Sequence, residues 1–96
     1  MSVQQIVHMI VKPEHAPLGV AAVCSTLDQI RGEPGVVSYE FYSLADDPSH
    51  MVFVEEYQDE AALHAHLEMP HLAELVSVLE PLMVQPFEVY RIESAG

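Results

Sequence analysis

The chain has 96 residues, half of them hydrophobic, and a formal net charge of −12 from fifteen acidic and three basic side chains. That length makes one domain. That charge repels phosphate backbones and anionic headgroups, which excludes nucleic acid and anionic membrane as partners.

An anionic substrate is confined to the surroundings of Lys12, Arg31 or Arg91, so a neutral or aromatic one is easier to accommodate. Cys24 is the only cysteine, which rules out an intrachain disulfide and a thiolate metal cage. No apolar run is long enough to span a bilayer. The stretch MSVQQIVHMIVK lacks the basic start and long apolar core of a signal peptide, so the expected location is cytoplasmic. The apolar surplus is high for a small soluble monomer. Burial against a second copy accounts for it, and a two-fold homodimer is the expected assembly.

Val3 to Lys12 reads as a strand, rich in Val and Ile and ended by Lys12-Pro13. One face carries Val3, Gln5, Val7, Met9 and Val11, the other Gln4, Ile6, His8, Ile10 and Lys12. Both faces are largely apolar, which predicts a central strand. Pro17 suits a first helical turn, and Val20, Val23, Leu27 and Ile30 follow helical spacing with Cys24 beside them. Arg31-Gly32 supplies a basic last turn and a C-cap, and Glu33-Pro34-Gly35 a turn. Val36 to Leu44 alternates as a second strand. Ala45-Asp46-Asp47-Pro48 then forms a hairpin turn, with the return strand running from Ser49 or His50 to Tyr57.

Asp59 is placed to N-cap a helix through Glu68. Pro70 begins another helix, with Leu72, Leu75, Val76 and Leu79 on one face, and Pro81 closes it. Val84 to Glu93 reads as the last strand. The order β-α-β-β-α-β, with its second helical region broken at Met69-Pro70, is the ferredoxin-like α+β arrangement. It has an antiparallel sheet with helices on one face.

Phe53 to His71 carries three of the six histidines where the sheet meets its covering helices. His66 lies three residues after Leu63, beside the Leu63/Leu67 stripe and toward the sheet, whereas His64 points away. A half-buried neutral imidazole there can act as a base. The alternative is a packed histidine bonded to a backbone carbonyl. His71, in the first turn of the next helix, can cap it or contact a ligand. Glu55 and Tyr57 share a strand face with Met51 and Phe53. A carboxylate there needs a partner, either a histidine or Arg91. His8 enters the same cavity if the Ile6/Ile10 face meets the helices. Tyr39 and Tyr42 fall on opposite faces of the second strand, so either can be core or cavity wall. His64 and His66 diverge on a helix, no HExxH or GxGxxG occurs, and no metal or nucleotide cofactor is expected. A histidine-only site from His8, His66 and His71 stays geometrically open.

Several stretches together resemble the antibiotic biosynthesis monooxygenase family of dimeric α+β barrels. They are Glu33-Pro34-Gly35, Tyr39-Glu40-Phe41-Tyr42, Asp46-Asp47-Pro48, Phe53-Val54-Glu55-Glu56-Tyr57, Asp59-Glu60-Ala61-Ala62-Leu63, His66 and Pro70-His71. The resemblance implies a dimer joined through its sheets, with a pocket in each subunit between sheet and helices. It implies oxidation of a phenolic, quinol or anthrone-like substrate by molecular oxygen, without metal or flavin. The haem-degrading branch of this fold relies on an asparagine and a tryptophan, and this chain has neither. On this reading His66 is the base, Tyr57 or Tyr39 donates to the substrate oxygen, Glu55 orients one of these groups, and His71 and His8 line the site. The alternative from a different class is a non-catalytic module that binds a quinone or another hydrophobic metabolite.

Overall fold

A computed structural model describes residues 1–96. Four strands form one antiparallel sheet: β1 (Val3–Ile10), β2 (Val36–Leu44), β3 (Asp47–Tyr57) and β4 (Glu88–Ile92), in the order β2-β3-β1-β4. The helices are α1 (Ala16–Cys24), α2 (Leu27–Arg31), α3 (Glu60–Leu67) and α4 (Pro70–Leu79), with short 3-10 turns at Pro13–His15 and Glu80–Leu82. This is the ferredoxin-like α+β fold, with β1 central as its apolar faces predict.

Strand alternation decides which sheet face meets the helices. Val3, Gln5, Val7, Met9 and Val11 are all buried, and Met51, Phe53, Glu55 and Tyr57 continue the same face on β3. Val23 and Ile30 from the first helical region and Leu75 and Leu79 from α4 close over that face. The opposite face holds Ile6, Ile10, Val52 and Val54, which are only half covered, and the exposed Tyr42 and Tyr90.

Four expectations are corrected. The return strand starts at Asp47, inside the expected turn, rather than at Ser49 or His50. The first helix is not continuous: it breaks at Ser25-Thr26, whose hydroxyls donate to the Ala22 carbonyl at 2.8 and 3.2 Å. Such side-chain bonds offer the backbone an alternative to the helical ladder. Cys24 is exposed rather than packed in the stripe, because Val23 and Ile30 define the buried side. The last strand begins at Glu88 rather than Val84. Val84 N–H does bond to the Ile10 carbonyl at 3.0 Å, but Pro86 has no N–H to offer and the chain rejoins β1 only where Glu88 meets His8.

The turn after α2 fixes the site. Gly32 caps α2 in right-handed geometry (φ −82°), and Gly35 takes the left-handed conformation at φ +88°. A Cβ on Gly35 would lie 2.5 Å from the Ala62 Cβ, so the turn passes directly under the start of α3. Asp59 caps that helix by accepting from the Ala62 N–H at 2.8 Å. Glu33, two residues before the glycine, is thereby held against α3.

Candidate active site

His66 occupies the last turn of α3, one turn beyond Ala62, and only 3% of its side chain is exposed. Its Nδ1 lies 2.9 Å and 3.2 Å from the two carboxylate oxygens of Glu33. Glu33 is equally buried, and its Oε2 also meets His71 Nε2 at 2.5 Å. One carboxylate therefore sits between two imidazoles. A buried carboxylate needs such donors. With Nδ1 donating to Glu33, Nε2 of His66 is the nitrogen left to accept a proton. The ring is flanked by Tyr39 and Tyr57, at centroid distances of 5.6 and 5.4 Å.

A cavity of about 160 Å³ lies between the sheet and α4. Its walls are mainly apolar, from Val7, Phe53, Leu72, Leu75, Leu79 and Phe87 among others, with Gln5, Tyr39, Glu55 and His66 as the polar side chains. Helical spacing puts Leu72, Leu75, Val76 and Leu79 along one wall, as the sequence predicts. Leu67 also borders the cavity, yet 60% of it is exposed, so the buried side of α3 is Ala62, Leu63 and His66.

Glu55 has a different partner set from the two expected. Its Oε1 accepts from Gln5 Nε2 at 2.8 Å and from the Tyr57 hydroxyl at 2.6 Å. Arg91 pairs instead with Glu60 on the surface, and Glu33 is the carboxylate that holds the histidine. Tyr57 is fully buried with its proton committed to Glu55, and it does not border the cavity. Tyr39 does border it, with its hydroxyl near enough to the Glu55 carboxylate to donate to it. Burial, then the negative charge of Glu55, pushes both phenols far above the usual tyrosine range. Each keeps its proton at physiological pH, so Tyr39 is a donor and not a base.

The structure does not bring His8 to this cavity. The Val7 face meets the helices, which puts His8 on the open face of the sheet. There its Nδ1 lies 2.7 Å from His50 Nε2 and its ring meets Tyr90 edge-on. His8, His66 and His71 consequently do not converge. His71 is half-buried and belongs to a second, more polar hollow of about 350 Å³, bordered by Ser25, Thr26, Gln29 and Glu74. It stands behind His66 rather than beside a cavity ligand.

Sequence reading missed Glu33, taking it only as part of a turn. The available signal was indirect: histidines on an apolar helix face call for a carboxylate partner, and Glu33 is followed by the Pro-Gly that can turn it under that helix. Gln5, a polar side chain on an otherwise apolar strand face, gave a similar signal.

The family model of antibiotic biosynthesis monooxygenases matches residues 2–77. The chain belongs to the antibiotic biosynthesis monooxygenase family. It is 29% identical over 83 residues to the Bacillus subtilis protein named "Putative monooxygenase YcnE", spanning 86% of this chain and 87% of that one. It is 30% identical over 79 residues to an uncharacterized Synechocystis protein, covering 82% of this chain but only 54% of that relative. A crystal structure described as an antibiotic biosynthesis monooxygenase superimposes with a TM-score of 0.91 at 26% identity, over 98% of this chain and 99% of the other. The family match includes the turn that carries Glu33, the whole of α3 and α4 as far as residue 77, and so both His66 and His71.

Proposed function

We propose that this family member is a cofactor-independent monooxygenase acting on a single-ring phenol or quinol. The observation that carries the reading is the apolar cavity walled in part by His66, whose Nδ1 is held by Glu33 so that Nε2 can take a proton. Its volume of about 160 Å³ suits one aromatic ring and not the three fused rings of an anthrone. An apolar cavity of about 150 Å³ is known to hold benzene.

Ground-state oxygen is a triplet and reacts slowly with closed-shell molecules. Deprotonation changes that, because a phenolate can give up one electron. Nε2 of His66 removes the phenolic proton while the Tyr39 hydroxyl turns from Glu55 to donate to the developing oxyanion. The phenolate reduces oxygen to superoxide, and the two radicals join at a ring carbon as a peroxide. The proton on Nε2 returns to the peroxide as the O–O bond breaks, and the oxygenated ring carbon loses its hydrogen to become a carbonyl, so the outer oxygen leaves as water. For a quinol the balance is quinol plus oxygen giving a hydroxyquinone plus water. The protein supplies deprotonation, orientation and a largely apolar pocket.

Oxygen uptake on addition of quinols of increasing ring count tests the reading. One-ring quinols are expected to drive protein-dependent uptake and three-ring anthrones to fail. Thermal stabilisation by these compounds without uptake would instead favour the binding module. The half-covered open face, with Ile6, Ile10, Val52, Val54 and Tyr90, suits a second copy of the chain. Sedimentation as a dimer is expected, and single chains at micromolar concentration would count against it.

A further inference from the structure

We propose that Glu33 and His71 are positioning residues that link the proton state of the cavity imidazole to the solvent outside. The inference rests on the reading of His66 as the base and concerns what sets its readiness to accept a proton. Three observations carry it. Glu33 is almost fully buried and touches both imidazoles, at 2.9 Å on the His66 side and 2.5 Å on the His71 side. The shorter His66 contact is to Oε1 and the His71 contact is to Oε2, so both can exist at once. The imidazoles also face different spaces: His66 the apolar cavity, His71 the polar hollow beside Glu74.

One negative charge cannot serve two cationic imidazoles as well as it serves one. A proton gained by His71 from the outer hollow draws on Glu33 and makes a further proton on His66 harder to hold. A proton gained by His66 from substrate acts in the same way on His71. The two imidazoles therefore share one counter-charge, so the proton state of one bears on the other, and His71 is the member whose ring reaches the outer hollow. The other titratable groups near His66 are Tyr39 of β2 and Glu55 and Tyr57 of β3. The two phenols keep their protons, and Glu55 is engaged by Gln5 and Tyr57. On the outer side Glu74 of α4 borders the hollow and is the remaining charge to count. Glu33 also selects the tautomer: while it accepts from Nδ1 of His66, Nε2 stays open toward the cavity.

The test is imidazole nitrogen NMR across a pH titration of the full chain, for the wild type, Glu33→Gln and His71→Gln. The wild type is expected to show His66 as the Nδ1–H tautomer when neutral, with both imidazoles following the same two-step curve. His71→Gln should reduce the His66 curve to a single step. Glu33→Gln should give mixed tautomers and lower kcat for oxygen uptake about a hundredfold, with KM changed far less. His71→Gln replaces a side chain at the edge of the outer hollow, 16% of it exposed, and serves if Glu33→Gln fails to fold. Independent single-step curves in the wild type, or a His66 curve unchanged in His71→Gln, would overturn the linkage. Linked curves in a protein that consumes no oxygen would leave the linkage standing and remove the monooxygenase reading.

Discussion

Alanine at position 66 lowers quinol-dependent oxygen uptake by about a hundred- to ten-thousandfold, the usual contribution of one positioned base. The loss falls on kcat, because Tyr39, Phe53 and the α4 leucines still shape the cavity. The fold survives the substitution. Glu33 loses its 2.9 Å contact but keeps His71 on its other oxygen, so the buried carboxylate is not stranded. The expected stability cost is on the order of 1–3 kcal/mol, readable as a lowered melting temperature with an unchanged circular dichroism spectrum. Turnover equal to that of the wild type would remove His66 from the mechanism and leave the cavity as a binding site.

Gly35→Ala is expected to have the largest effect on stability. Two penalties act together: the left-handed backbone at φ +88°, and a new Cβ 2.5 Å from that of Ala62. Backbone strain of this kind costs roughly 1–3 kcal/mol and overpacking about 1–3 kcal/mol more. The sum, about 2–6 kcal/mol, is a large part of the 5–15 kcal/mol typical of a folded domain. Both elements that must yield belong to the site. Moving the turn displaces Glu33, and moving α3 displaces His66, so activity should fall further than the unfolded fraction explains. Urea denaturation beside oxygen uptake checks both effects. A change below about 1 kcal/mol would show that the turn relaxes freely and does not hold the carboxylate in place.

The fold was readable because its periods are clean. The alternation on β1 from Val3 to Val11, the Leu72-Leu75-Leu79 stripe and the Asp59 cap each point to a single local structure, and all three agree with one topology. The break at Ser25-Thr26 was harder to foresee, since it depends on hydroxyl bonds that compete only weakly with the helix. So was the delayed start of β4, where Pro86 interrupts pairing that begins at Val84.

The site was only half readable for a physical reason. Helical spacing could turn His66 toward the sheet, and it did. Choosing between the two faces of β1 for His8 required knowing which face the helices cover, and both faces are apolar in sequence. The Glu33 contact joins residues 33 positions apart through a turn whose geometry depends on Gly35 meeting Ala62. No local pattern encodes such a meeting. The same long-range pairing gave Glu55 to Gln5 and Tyr57 and sent Arg91 to Glu60.

The most direct measurement follows both atoms of labelled oxygen through the reaction of metal-stripped protein with a single-ring quinol. The account predicts one labelled atom in the hydroxyquinone and the other in water. Unlabelled quinone with labelled hydrogen peroxide, or no protein-dependent product, would contradict it.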